Sequence, residues 1–354
     1  MGRGADNDRR EASEARTLFA RCYGMSDLDQ HPDIVRLMSC RSYKVKIYGI
    51  TCLALGFSSL IEISGNEFTR IMNAKRNLLT FVSIEEKFDL VLENYMEYER
   101  ELLSLNLQRM LHQDCDGSSS MNYVQSINRR LANHLMTARL YLDQVQHGLK
   151  IICSKNSQFP RILKQTVSEQ YDHSRGFRIM EAIRNYIQHR NLPVHELIHR
   201  MQPDNSCSAP QFRYVLEPYL EVLQLRDDPK FKRSVLAELE QMGKLVNVTP
   251  LVRQHVEALS RVHQDFRKHT SQDIEAWEQV LEMVLIRARE SFGQELPGLP
   301  GLAVVAGEQR DIYDHSEPIS GDLLARRMFL QHKNSNLGFI SRRYVSGAYA
   351  ENAV

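Results

Sequence analysis

Two long stretches of apolar residues at spacings of three and four constrain this chain more than any other feature. Across residues 83–112 the stripe is Phe88, Val91, Leu92, Tyr95, Leu102, Leu105 and Met110; across residues 121–150 it is Val124, Ile127, Leu131, Leu135, Ala138, Leu142 and Val145. Such spacing puts the residues of each set on one face of an α-helix. At 1.5 Å per residue, a helix over 83–112 would be about 45 Å long. A stripe of that length is best covered by a second helix of similar length, and the short polar break DCDGSSS at residues 114–120 lets the second fold back on the first. Ser83 followed by Glu86 forms a capping box, so the first helix is expected to start at Ser83. The expected fold class is therefore mainly α, an antiparallel helical bundle with a second, mostly helical C-terminal region.

Punctuation along the chain supplies the remaining boundaries. Residues 1–30 begin with a polar, charged leader expected to be disordered, and residues 31–66 form a small N-terminal element. Within that element residues 43–63 mix β-branched residues and glycines, a pattern open to either a short hairpin or a buried helix. Gly65-Asn66 reads as a turn, after which residues 67–200 carry the bundle, with shorter helices over 161–171 and 177–190. The break MQPDNSCSA at 201–209 reads as a linker and domain boundary. An accessory region over 210–292 follows. It holds a strand or irregular helix over 211–225, interrupted by Pro218, and then helices over 230–246, 251–269 and 271–292. Trp277 and Met283 on the last of these are expected to pack in the core. Residues 293–354 comprise a Gly/Pro linker (293–307) and a basic, aromatic tail in which Arg326, Arg327, Arg342 and Arg343 interleave with Phe329, Phe339, Tyr344 and Tyr349.

A net charge of +1 excludes a broadly cationic surface, so any nucleic-acid-binding charge must be local. Six cysteines with no C-x-x-C spacing fit reduced thiols in a cytoplasmic protein better than a disulfide scaffold. The most apolar stretch, 47–63, is broken by glycines, serines and Glu62, so no membrane partner is expected.

The helix over 177–190, FRIMEAIRNYIQHR, carries the chemistry. Ile179, Met180, Ile183, Tyr186 and Ile187 form its apolar stripe, with Arg184, Asn185, Gln188 and His189 elsewhere on its surface. Asn185 and His189 share a face, while Arg184 lies about 140° round the helix from His189. Imidazole suits proton transfer near neutral pH, and guanidinium suits the oxygens of a phosphorane. Five Arg-x4-His pairs occur in the chain, against about one expected by chance. Arg190/His195 and Arg310/His315 lack a helical setting, and Arg129/His134 and Arg327/His332 have Arg130 and Met328 where a polar partner such as Asn is wanted, whereas Arg184-Asn185-x-x-x-His189 meets both conditions. This stretch, with the helices before it, resembles the HEPN superfamily, whose ribonuclease members carry R-x4-6-H on a helix, commonly with Asn, Asp or His after the Arg.

That resemblance implies a metal-independent endoribonuclease that needs no cofactor. Arg184 would stabilise the phosphorane, His189 would transfer protons and Asn185 would orient or bind. It also implies RNA as substrate, a homodimer sharing a composite site, and a toxin or antiviral abortive-infection role with an antitoxin or other regulatory partner. A non-catalytic HEPN-like dimer that binds RNA or protein is the alternative. A third reading comes from His195-Glu196-Leu197-Ile198-His199, an H-E-x-x-H string that would hold zinc in a metalloprotease if it lay on a helix. The run Arg253, His255, Arg261, His263, Arg267, Lys268 and His269 is expected to be a solvated face.

Overall fold

A computed structural model describes residues 46–54, 57–112, 117–153, 157–204, 211–293, 301–309 and 312–343. The leader, the loop 113–116, part of the 201–209 break, most of 293–300, the Arg310/His315 pair's arginine, Tyr344 and Tyr349 lie outside these residues. The described part is mainly helical, with two small antiparallel sheets.

Helix α1 spans Gly65–His112 and α2 spans Gly117–Ile152. They run antiparallel: Ser126 near the start of α2 bonds Glu101 near the end of α1, while Gly148 meets Ile84 at the opposite ends. The stripes read from the sequence form the seam, with Phe88, Val91, Ile127, Leu131, Leu135 and Val145 all buried, except at Met110, which is exposed near the end of α1. The start of α1 differs from expectation. Ser64, not Ser83, caps it, its hydroxyl accepting from the Glu67 amide at 3.1 Å. Ser83 lies inside the helix, where its carbonyl and hydroxyl accept from Lys87 at 3.2 and 2.7 Å.

Two shorter helices, α3 (Phe159–His173) and α4 (Arg175–His189), follow as expected. The chain then leaves the bundle through β3 (Glu196–Asp204), β4 (Gln211–Glu221), the short α5 (Val222–Arg226), α6 (Arg233–Met242) and β5 (Leu245–Asn247). The strands form a sheet ordered β3-β4-β5, so residues 201–204 belong to a strand. Pro218 is accommodated because β5 pairs only with Tyr219 to Glu221; at Pro218 the central strand has a neighbour on one side alone.

The chain returns through α7 (Val248–Phe292), one helix of 45 residues where the sequence suggests two. Thr270, at the suspected break, returns its hydroxyl to the Phe266 carbonyl at 2.9 Å, so its polarity is absorbed within the helix. Helix α7 is antiparallel to α1, with Thr249 at Tyr98, Arg253 at Glu99, Arg267 at Glu85 and Arg287 at Glu67. The longest helix of the region read as accessory thus packs against α1 of the bundle. Trp277 is partly buried against the core, whereas Met283 is 45% exposed and contributes no core packing.

The run read as a solvated basic face turns inward. Arg253 grips Glu99 with two bonds of 2.7 and 2.8 Å, Arg267 grips Glu85 with bonds of 2.8 and 2.6 Å, and His255 and His263 are fully buried. Only Arg261, Lys268 and His269 keep a surface position, Arg261 pairing with Glu257 at 2.6 Å.

A second sheet, ordered β2-β1-β6-β7, joins the hairpin β1 (Ile47–Cys52) and β2 (Leu60–Ile63) to β6 (Leu302–Gly307) and β7 (His315–Pro318). The hairpin alternative is therefore correct for the described residues of that stretch, 46–54 and 57–63. Strand β6, LAVVAG, lies in what reads as a linker and is buried along its whole length. The tail helix α8 (Asp322–Lys333) spends its cations on the bundle: Arg326 on Glu86 at 3.0 Å, Arg327 on Glu278 at 2.6 Å, and Lys333 on Asp89 and Glu93 at 2.8 and 2.6 Å. No helix among the described residues is long and apolar enough to cross a membrane.

One buried side chain fixes the exit from α4. The Asn128 amide, 2% exposed, donates to the Val194 carbonyl at 2.8 Å and accepts from the Val194 amide at 2.9 Å. Asn128→Leu strands both backbone groups, and a loss of about 2–6 kcal/mol is expected in urea unfolding, since each buried unsatisfied group costs about 1–3 kcal/mol. Unchanged stability would show that the clamp contributes nothing.

Candidate active site

Helix α4 begins at Ser174, whose hydroxyl accepts from the Phe177 amide at 3.2 Å. Phe177, Ile179, Met180, Ile183 and Tyr186 bury its apolar stripe. At Gly176 the helix crosses α7 so closely that a Cβ would sit 2.6 Å from the Leu251 carbonyl oxygen, leaving room for glycine alone. The Gly176 amide donates to Gln254 at 3.0 Å across the same contact. The helix ends at His189, and the chain turns away before Pro193.

The outward face of α4 holds the motif. Arg184 donates from Nη1 to Gln188 Oε1 at 3.0 Å and from Nη2 to Asn185 Oδ1 at 2.5 Å, and its Nε lies 3.7 Å from Glu181 Oε2. That last distance is an ion pair too long for a hydrogen bond, and the buried Nε has no hydrogen-bond partner among the described residues. Asn185 and His189 are exposed, and the His189 ring has no hydrogen-bonding or charged partner among the described residues.

Arg184, Asn185 and His189 line one open cleft of about 390 Å³. Although the two motif ends lie well round the helix from one another, Arg184 and His189 both line this cleft. Arg139 from α2, Tyr171 from α3, and Asp228, Lys230 and Lys232 from the segment joining α5 to α6 complete the wall. Arg190 pairs with Asp228 at 3.0 Å, and Arg139 pairs with Asp143 at 2.8 Å. Burial pushes the Glu181 carboxyl above its ordinary value, against the pull of Arg184 and Arg139.

The three other Arg-x4-His pairs whose residues are all described do not make sites. His134 is fully buried in the core; Arg327 is held by Glu278; and His195 lies beyond α4, its Nδ1 accepting from the Glu221 amide at 3.1 Å. The H-E-x-x-H string enters β3 instead of a helix. On extended chain His195 and His199 stand about 13 Å apart, too far for one zinc ion. Among the described residues no three His, Cys, Asp or Glu side chains gather as a metal site.

Sequence reasoning missed Glu181, Arg139, Arg190, Lys230 and Lys232 as cleft residues. Glu181 was legible in principle, three residues before Arg184 on the same helix. Lys230 and Lys232 were not, because only the tertiary fold brings the α5–α6 segment to α4. The chain matches no protein-family model, no curated protein and no solved structure.

Proposed function

We propose that the protein is a metal-independent endoribonuclease in which Arg184, Asn185 and His189 form the catalytic site, shared between two copies in a homodimer. The observation that carries this reading is the convergence of Arg184, Asn185 and His189 on one open, cation-lined cleft.

The RNA 2′-hydroxyl attacks the adjacent phosphorus while His189 takes its proton. The Arg184 guanidinium turns from Asn185 and Gln188 to the equatorial oxygens, where negative charge gathers. The P–O5′ bond then breaks, a proton reaches the departing 5′-oxygen, and the products are a 2′,3′-cyclic phosphate and a 5′-hydroxyl. A second His189, from the partner copy, supplies that proton. A toxin or antiviral role with a regulatory partner belongs to the same proposal and rests on the motif's resemblance alone.

End-group analysis tests the chemistry. Products should carry 2′,3′-cyclic phosphate and 5′-hydroxyl termini, and a 2′-deoxy residue at the cleavage position should block the cut. Products with 5′-phosphates would contradict attack by the 2′-hydroxyl.

A second reading, a non-catalytic dimer that binds RNA or protein, is favoured by one feature: Glu181, Asn185 and Gln188 of its own helix already surround the Arg184 guanidinium. Correct termini in a reaction that Arg184→Ala abolishes would remove this reading.

A further inference from the structure

We propose that residues 227–232, joining α5 to α6, form a phosphate-holding wall that grips an unpaired RNA strand beside the scissile phosphate, with Lys230 and Lys232 each contacting one phosphate. This inference rests on the ribonuclease reading of Arg184 and His189 and assigns that site its substrate class.

The segment is built to present these two cations. Lys230-Phe231-Lys232 alternates outward, inward, outward: Phe231 is 4% exposed, while both lysines are exposed. Asp228 fixes the turn, its carboxylate accepting from the Lys230 amide at 3.0 Å, and the Phe231 amide donates to the Asp228 carbonyl at 3.1 Å. The same carboxylate pairs with Arg190, tying the segment to the end of α4. The wall is thus anchored by a buried aromatic ring and an ion pair before any ligand arrives.

The charge left over in the cleft is positive. Its two carboxylates, Glu181 and Asp228, are paired with Arg184 and Arg190, and Arg139 is paired with Asp143 outside the lining. Lys230 has no carboxylate partner among the described residues, and Lys232 contacts only the hydroxyl and ring of Tyr171, its Nζ 4.5 Å from the ring centroid. In a chain of net charge +1, two uncompensated cations beside Arg184 and His189 are a local anion site.

The cleft's shape and lining select the strand. A space of about 390 Å³ walled by α2, α3, α4 and the 227–232 segment admits a nucleotide-sized portion of a flexible backbone and excludes the wide body of an A-form helix. Phe231 is buried and Lys232 sits over one face of the Tyr171 ring, which leaves little aromatic surface for base stacking. Recognition through phosphates, with little preference among bases and strong salt dependence, follows.

The test is fluorescence anisotropy with a labelled, unpaired 2′-O-methyl RNA, which binds without being cut, measured over a range of salt. The proteins are the full chain, Lys230→Glu/Lys232→Glu, Lys230→Gln/Lys232→Gln and, as a control outside the cleft, Lys268→Glu. The glutamate pair should bind at least about tenfold more weakly. The glutamine pair should flatten the slope of log K against log salt by about 1.4, from about 0.7 per single-strand phosphate contact. The control should match the parent, and a duplex of the same length should bind more weakly than the single strand. Wild-type affinity and slope in both double variants, in a protein whose cleavage is lost with Arg184→Ala, would overturn the lysine wall and leave the nuclease standing. Equal binding of duplex and single strand would overturn the assignment of an unpaired substrate. No RNA binding and no cleavage by the parent would overturn both readings together.

Discussion

Glu85→Ala is expected to destabilise the fold by about 3–5 kcal/mol, the usual cost of removing one member of a buried ion pair. Glu85 is fully buried on α1 and holds Arg267 of α7 through two bonds of 2.8 and 2.6 Å; His263 Nε2 lies 3.2 Å away. Burial pushes the carboxyl up, but the Arg267 hydrogen bonds and the neighbouring His263 and Arg267 outweigh it and hold the group at about 2. Burial also lowers the His263 pKa, so Arg267 supplies the dependable positive charge. Without Glu85, that guanidinium keeps only its bond to the Asn334 carbonyl at 2.9 Å, and its charge sits unneutralised beside the stacked rings of His263 and Phe88. The loss is read as a lower urea midpoint at unchanged slope. Glu85→Ala/Arg267→Met should recover much of the stability, because an apolar pair leaves no orphan charge. A single variant as stable as the parent would show that the pair is not what joins α1 to α7.

Acid should weaken the fold before any carboxylate pair is touched. His134 and His255 meet in the core at 3.2 Å, Nε2 to Nδ1, and both are fully buried. One ring donates to the other, which requires the accepting nitrogen to be unprotonated, and full burial of both rings favours the neutral pair. Burial pushes His134 down from 6.5 to about 4, and burial together with its neighbour pushes His255 well below 6.5. A histidine depressed in the folded state binds a proton more readily when unfolded. Stability therefore falls as pH drops from about 6.5 towards 4 and is fully present above that window. For His134 alone the loss is on the order of 3 kcal/mol, at about 1.4 kcal/mol per pKa unit. Glu85 adds a separate loss only below about 4.5, as its folded value near 2 is approached. Urea midpoints should be nearly level between pH 7.5 and 6.5 and decline through 5.5 and 4.5, and His134→Leu/His255→Leu should flatten the decline. A profile flat from 7.5 to 4.5 would contradict neutral burial of the pair.

Periodicity made the bundle legible and chemistry singled out one helix of the candidate site; tertiary packing decided the rest. The stripes over 83–112 and 121–150 mark the α1–α2 seam, and Arg184-Asn185-x-x-x-His189 stands out because it joins a helical setting to a polar neighbour. Helix starts were less secure. Ser64-x-x-Glu67 and Ser83-x-x-Glu86 are equally good capping boxes on paper, and only the continuity of burial through Ile71, Leu78 and Phe81 selects the first. The cationic and imidazole side chains of α7 read as surface because burial of charge is rare. Here Glu85 and Glu99 lie on another helix in register to receive Arg267 and Arg253, a pairing no local pattern reveals. Strand β6 was hidden by its Gly/Pro flank and by the partner β1, which lies far away in sequence.

The central claim meets its most direct test in cleavage of labelled total RNA and transfer RNA, with EDTA present, by the parent chain, Arg184→Ala and His189→Ala. The account predicts cleavage by the parent and a loss of at least about 100-fold in each variant, the usual weight of one general-base or oxyanion-stabilising group. Equal cleavage by all three proteins would contradict it, because the Arg184–His189 cleft would then not be where the RNA is cut.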